Sequence, residues 1–231
     1  MDWATWAWSG EGASADAWAR RAAERDVGEV FVGVPWQGPT PETADLVAAF
    51  RRRGIRCTAL GGDPAWAQDP SLAAQWVRRA RRGFDAIHLD VEPWTMAEWP
   101  AEAARLLVGV AIIVEAAAEA SAVDIDLPGW LAREHPDAFR RIARSADVVT
   151  VLAYRDRAAA ILDDSHAGRA LAGRYRIAID TLPSTTPHTT FSGEPAGVLR
   201  RETAAVAAAA SADPRFVGIG VHDLAGWCAL P

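Results

Sequence analysis

Lysine and asparagine are absent from the 231 residues, so all 24 basic side chains are Arg. Without Lys there is no Schiff-base aldolase chemistry, no internal pyridoxal phosphate linkage and no P-loop lysine. Without Asn there is no N-glycosylation acceptor and no catalytic-loop Asn. The two cysteines, Cys57 and Cys228, are isolated, with neither a CxxC spacing nor a disulfide framework. Long apolar runs are missing too: the longest, Leu106 to Val114, is too short to span a bilayer. The start, Met1-Asp2-Trp3, has no positive n-region. A cytoplasmic protein with no membrane partner is expected.

The Ala and Arg bias is the mark of GC-rich coding. The 11 Trp are not explained that way. Net charge is −6. The basic runs Arg51-Arg52-Arg53 and Arg78 to Arg82 fall on predicted helices and read as solvated faces, so no nucleic-acid partner is expected.

Short β-branched runs alternate with longer Ala-, Leu- and Arg-rich segments. Strands are predicted over 3–8, 30–34, 55–60, 86–91, 123–127, 148–153, 176–180 and 216–221. Helices are predicted over 13–25, 41–53, 71–82, 100–120, 136–145, 157–173 and 196–210. Strict alternation implies parallel strands joined by right-handed crossovers. Eight such units predict one domain, 1–231, folded as a compact (β/α)8 TIM barrel. Only ten residues follow the last strand, so a closing outer helix is not expected. The competing architecture is an open doubly wound sheet. Its G-x-G-x-x-G fingerprint is missing: Gly10 and Gly12 are followed by Ala13-Ser14-Ala15. No cofactor is expected.

A barrel's active site lies at the carboxyl ends of its strands. Here those ends read His88-Leu89-Asp90-Val91-Glu92, Asp124-Ile125-Asp126, Tyr154-Arg155-Asp156, Asp180-Thr181 and His222-Asp223. Helix capping accounts for any one Asp. It does not account for alternation, which puts His88, Asp90 and Glu92 on one face, and Asp124 and Asp126 likewise. Charges are costly against the helix layer, so these side chains belong to the lumen or its mouth. Asp90 and Glu92 then form a carboxylate pair about 6.5–7 Å apart at Cα. Such a pair raises one pKa and prepares a general acid, for which Glu92, nearer the mouth, is the better placed. The bland alternative is a structural carboxylate network closing the barrel.

At these residues the chain resembles the family 18 glycoside hydrolases, the chitinase-like barrels, whose strand-four motif is D-x-x-D-x-D-x-E. Asp85, Asp90 and Glu92 match it, and His88 stands at the middle Asp. The family's M-x-Y-D motif is similar to Leu152-Ala153-Tyr154-Arg155-Asp156, with Arg155 intervening. Where the family ends its last strand with Trp, this chain has His222, and Trp227 follows five residues on. The resemblance implies substrate-assisted retaining hydrolysis. Glu92 would protonate the leaving oxygen, Asp90 would orient the 2-acetamido group, and Tyr154 would hydrogen-bond its carbonyl.

Nine of the 11 Trp sit at or just past predicted strand ends: Trp3, Trp6, Trp8, Trp36, Trp66, Trp94, Trp99, Trp130 and Trp227. A flat apolar face with one N–H donor suits pyranose rings. Trp36, Trp94 and Trp227 are the expected cleft residues, while Trp18 and Trp76 are expected to pack helix on barrel. With them, His88, Asp124, Asp126, Asp156, Asp180 and His222 form the expected substrate-binding set around Glu92, Asp90 and Tyr154. The expected ligand is a small molecule or an oligosaccharide. His188 lies in a polar Thr-rich loop, 184–192, that suits a lid. Two other functions compete with a glycosidase. One is a metal-dependent isomerase or lyase drawing on His88, Asp90, Glu92, Asp126, Asp180 and His222, although no tight ligand spacing supports a metal site. The other is a non-catalytic sugar-binding barrel, favoured by His88 in place of the motif Asp.

Overall fold

The computed structural model describes residues 2–8 and 13–231; Ser9, Gly10 and Gly12 lie outside the described residues. Eight parallel strands close into a barrel in sequence order: β1 (Trp3–Ala7), β2 (Val27–Gly33), β3 (Arg56–Gly61), β4 (Ala86–Leu89), β5 (Val123–Pro128), β6 (Val148–Leu152), β7 (Tyr175–Asp180) and β8 (Phe216–His222). The seam is sealed by Trp3, Ala4 and Thr5 of β1 against Ile219, Gly220 and Val221 of β8. The (β/α)8 barrel expected from the alternation is what forms.

The crossover helices begin where the sequence offers a cap. Ser14 accepts from the Ala17 N–H ahead of α1 (Ala15–Ala23). Thr40 accepts from the Thr43 N–H ahead of α2 (Pro41–Arg51), with Pro at the first position. Asp69 accepts from the Ser71 N–H ahead of α3 (Pro70–Ala80). The long helix α4 (Trp99–Ala118) buries Leu106, Leu107, Val110, Ala111, Ile113 and Val114, which accounts for the longest apolar run. No helix among the described residues is long and apolar enough to cross a membrane.

Next come α5 (Gly129–Glu134), α6 (Pro136–Ser145), α7 (Ala158–Leu171), α8 (Ala196–Ala210) and α9 (Leu224–Ala229). Two of these differ from expectation. Helix α5 starts directly on the end of β5, where Gly129 admits the close backbone of Asp164, and His135 separates it from α6, which opens on Pro136. Helix α9 stands where no closing helix was expected. Asp223 caps it by accepting from the Gly226 N–H at 2.8 Å, and its six residues pack on β1 and β8.

Outward-facing strand residues such as Ile87, Leu89 and Val91 are fully buried against the helices. The lumen is filled differently. At its floor Arg176 of β7 is 5% exposed. Its Nη2 donates to Glu29 Oε2 at 2.6 Å, and its Nη1 to Asp124 Oδ2 at 3.2 Å and Thr150 Oγ1 at 3.3 Å. The Thr58 hydroxyl donates to Glu29 Oε1 at 2.7 Å. Above the floor, the guanidinium lies 5.0 Å from the Phe31 ring centroid. Phe31 in turn stacks on the His88 imidazole at 3.8 Å. Trp6 meets both rings edge-on, at 4.9 Å and 5.6 Å.

His88 is wholly buried, and burial pushes its pKa down to about 3 against the pull of Asp124. Its ring is therefore neutral. Its Nε2 lies 2.9 Å from Asp126 Oδ1. The two are not aligned for a hydrogen bond, so both ring nitrogens and Oδ1 lack a partner among the described residues. At that angle the contact is weak despite its length, because a hydrogen bond weakens steeply away from linear.

Two outcomes follow from this lumen. Replacing Arg176 with Met strands Asp124 as a buried charge, leaves the partly buried Glu29 only Arg56 and Thr58, and costs on the order of 3–5 kcal/mol in urea denaturation. Arg56→Ala, which removes the half-exposed second partner of Glu29, costs below about 1 kcal/mol. Equal costs would contradict the floor assignment. The second outcome concerns pH. Because the folded pKa of His88 is depressed, its contribution is intact above about pH 6.5 and is lost as pH falls toward about 3. Relative to His88→Phe, the native protein loses about 1.4 kcal/mol of stability per pH unit between roughly pH 6 and 4. Parallel stability curves for the two proteins would show that the buried ring is not held neutral.

Candidate active site

The carboxyl end of β4 sets the site. Its pairing with β3 continues one residue past Leu89, where the Asp90 N–H donates to the Gly61 carbonyl at 3.0 Å. A Cβ on Gly62 would collide with the Asp90 carbonyl, so only Gly lets β3 approach this closely. His88, Asp90 and Glu92 thus face inward, while Leu89 and Val91 face the helix layer. Pro93 then starts a 3-10 turn, Pro93–Thr95, which ends the extended chain and sets Trp94 beside Glu92.

Five neighbouring strands complete the cluster. Trp6 of β1 donates from Nε1 to Asp126 Oδ2 of β5 at 3.3 Å. Tyr154, just past β6, stacks on His222 of β8 with ring centroids 6.0 Å apart. His222 meets Trp6 edge-on at 5.4 Å, and its Nδ1 is 2.9 Å from Asp180 Oδ1 at the end of β7.

Partial burial, reinforced by crowding of like charge, dominates the electrostatics. Burial raises the Asp90 carboxyl pKa, and the charges of Asp126 and Glu92 add to it. Burial also raises Glu92, against the Trp94 indole and the charge of His222. Asp126 is raised by burial, with His222 opposing and Glu92 reinforcing. Burial raises the Tyr154 phenol, and Asp126, Asp90, Asp180 and Glu92 all push the same way. His222 moves toward its charged form: burial opposes, but the hydrogen bond and charge of Asp180, with Asp223 and Asp90, outweigh it. The result is a set of carboxyls pushed toward their protonated forms around one imidazole pushed toward its charged form, an arrangement suited to splitting acid and base roles. Among the described residues, no group of three or more His, Cys, Asp or Glu side chains could hold a metal ion.

A cleft of about 470 Å3 opens onto Asp90 over the ends of β1 to β4. Trp8, Trp36, Trp66 and Trp76 wall it, above Gly33, Gly61 and Gly62. Trp36 is 37% exposed at its outer edge, 6.3 Å from Trp66, which lies 5.5 Å from Trp76. Across the mouth, Trp94, Trp99 and Trp130 pack mutually edge-to-face at 5.9–6.2 Å, bracing the segment that carries Glu92.

Of the expected residues, the structure brings together Asp90, Glu92, Asp126, Tyr154, Asp180 and His222, with His88 one layer below and Trp36 and Trp94 at the rim. Others lie elsewhere. Asp124 faces the lumen as expected but sits at the floor, held by Arg176, and it borders an opening at the amino ends of the strands. Trp227 points into the helix layer, 5% exposed, 5.2 Å from Trp3 and under Arg25. Asp156 turns to the next loop, where its Oδ2 lies 2.9 Å from His188 Nδ1. Asp85, the motif's first acid, accepts from the Cys57 N–H at 2.9 Å and pairs with Arg51 outside the barrel.

Sequence reasoning missed Trp6, Trp8, Trp66 and Trp76 as site-forming side chains. Trp6 and Trp8 share one strand parity, which was a usable signal. Trp76 packs helix on barrel as expected, its Nε1 donating to the Val34 carbonyl at 3.1 Å, but its ring also floors the cleft over Gly61. Only the fold reveals that.

No protein-family profile matches the chain, and no curated protein matches it in sequence. Similar solved structures exist. An endo-beta-N-acetylglucosaminidase from Cordyceps militaris superposes with a TM-score of 0.60 at 15% identity, over 95% of this chain and 80% of that one. A Toxoplasma gondii protein assigned as a deoxyribose-phosphate aldolase gives 0.57 at 16%, over 98% and 92%. A family 18 glycoside hydrolase, an N-acetylglucosaminidase from Paenibacillus barengoltzii, gives 0.50 at 12%, over 78% and 68%. Hydrolases and lyase-type enzymes alike share this barrel, and at such identities the fold is what they have in common with the chain.

Proposed function

We propose that the chain is a glycoside hydrolase acting on an N-acetylated sugar. The observation that carries this reading is Asp90 at the inner end of a cleft walled by four Trp, with Glu92 and Tyr154 close enough for their charges and that of Asp90 to act on one another. Sugar rings would lie on the indoles. Glu92, whose carboxyl burial shifts toward its protonated form, would give its proton to the leaving glycosidic oxygen. The substrate's 2-acetamido carbonyl oxygen would attack the anomeric carbon as that bond breaks, forming a cyclic oxazolinium. Asp90 would accept the amide N–H and offset the developing positive charge, and the Tyr154 hydroxyl would hydrogen-bond the carbonyl oxygen. Glu92, now ionised, would take a proton from water as the water opens the ring, which restores the acid and retains the anomeric configuration.

The resemblance of the β4 segment to the family 18 motif supports this reading, as do N-acetylglucosaminidases among the fold neighbours. A lyase that uses the same groups as proton donor and acceptor is the second reading. The aldolase- and lyase-assigned neighbours and the His222–Asp180 pair support it. A Schiff-base route is closed to it, since the chain has no Lys.

Hydrolysis of aryl N-acetylglucosaminides and chito-oligosaccharides separates the two readings. The glycosidase reading expects turnover by the native protein and a loss of about 10²–10⁴-fold in kcat for Glu92→Gln, with oligosaccharide affinity and melting temperature retained. Near-native turnover by that variant would falsify the acid assignment, and no turnover by the native protein would favour the lyase.

A further inference from the structure

A second concavity, of about 650 Å3, lies outside the ring of strand ends, between the loop after β2 and α3. Its polar lining is Gln37, Ser71, Gln75, Arg78, Arg79 and Arg82, with no carboxylate among them. Its size falls within the roughly 300–1,000 Å3 typical of small-molecule sites.

This groove shares a wall with the Trp cleft. Pro35 and Trp36 face the cleft, whereas Gln37 and Gly38, next in the chain, face the groove. Gly38 makes the switch possible. Its φ of +101° suits Gly, its N–H donates to the Pro35 carbonyl at 2.9 Å, and the Arg79 backbone packs against it. Arg79 joins the two spaces, its guanidinium 4.8 Å from the Trp36 ring centroid and its Nη1 donating to the Trp36 carbonyl at 3.2 Å.

Arg78, in the last turn of α3, and Arg82, just beyond it, have i,i+4 spacing. Neither forms an ion pair among the described residues, whereas Arg51 of α2, Arg133 of α5 and Arg141 of α6 each meet a carboxylate. The α3 dipole favours basic residues in its last turn. It does not account for an acid-free hollow that sets those residues opposite two amides and a hydroxyl and runs on from an aromatic cleft.

We propose that this groove is an outer subsite for an acidic saccharide, one whose carboxylate or sulfate lies between Arg78 and Arg82 while its neighbouring ring rests on Trp36. Guanidinium forks match planar carboxylates and sulfates in a two-bond geometry, and Gln37, Ser71 and Gln75 supply partners for sugar hydroxyls. The inference rests on the reading of the Trp cleft as a glycan site, and it narrows the substrate class to glycans with an anionic group beyond the cleavage point.

Calorimetric titration with a matched pair of N-acetylated oligosaccharides, one neutral and one bearing a uronic carboxylate, tests it. The native protein binds the acidic member about tenfold more tightly at low salt, as two partly exposed ion contacts imply. That preference disappears in the Arg78→Gln/Arg82→Gln double variant and in high salt, while affinity for the neutral member stays unchanged. If the neutral member binds and the acidic one gains nothing, the groove inference falls and the glycan cleft stands. If neither binds, the glycan reading falls and takes the groove with it. A single-stranded oligonucleotide that displaces the acidic sugar and binds more tightly would assign the arginines to a phosphate backbone and overturn the proposal.

Discussion

Burial of like charge at one end of a closed barrel is the constraint on which the other features depend. Asp90, Glu92 and Asp126 share the carboxyl end of the barrel, Asp126 fully buried and the other two partly so, and burial heads the causes that raise each carboxyl. Such a cluster persists only if protons stay on some of its members or a cation stands close by. Both devices have a basis here. Burial pushes the carboxyls toward their protonated forms, and His222, backed by Asp180, is pushed toward its charged form. Trp6 offers its indole N–H to Asp126 from within the lumen, and Trp94 flanks Glu92 at the rim. One level down, the neutral His88 ring lies flat on Phe31, and Arg176 closes the floor with its own pair of carboxylates. The barrel therefore carries a polar axis inside an apolar shell. Outward residues of the same strands, Ile87, Leu89 and Val91, give the helix layer the burial that offsets the cost of that axis.

Tryptophan divides its labour across this frame. Trp8, Trp36, Trp66 and Trp76 make a wall over the first four strand ends. Gly33, Gly61 and Gly62 leave room for the indoles and for the Asp90 backbone. Trp94, Trp99 and Trp130 brace the acid-bearing segment from the far side. Trp3 and Trp227 pack outside the barrel and do neither. The aromatic wall meets the carboxyl cluster at Asp90, and the chemistry proposed for the site needs Glu92 and Tyr154 to act from beside that point.

Much of this was legible in the sequence. Eight β-branched runs at regular spacing define the barrel, and the parity of His88, Asp90 and Glu92 places their side chains inward. Parity gives the face but not the height. Asp124 and Asp126 share a face, yet one lies at the floor with Arg176 and the other with the acids near the mouth, because two residues along one strand differ by about 6.5–7 Å in height. Arg176 carries the same parity as Asp180 and was open to the same argument. The placement of Trp227 was not readable: Asp223 caps a short helix that carries the indole outward. Partnerships between distant strands, such as His222 with Asp180 and Trp6 with Asp126, depend on closure of the ring, and no local pattern announces them. The same holds for Trp76, whose role in the cleft comes from where α3 meets β3.

The barrel alone is compatible with hydrolases and lyases, so the decision between them rests on the bond the cluster breaks and on who supplies the nucleophile. Comparing cleavage of an aryl 2-acetamido-2-deoxyglucoside with that of the matching aryl glucoside, and following the anomeric proton of the product by NMR, tests this most directly. The account predicts cleavage of the acetamido sugar alone, with the product first released in the anomeric configuration of the substrate. Cleavage of both sugars at similar rates, release of the inverted anomer, or cleavage of neither would contradict it.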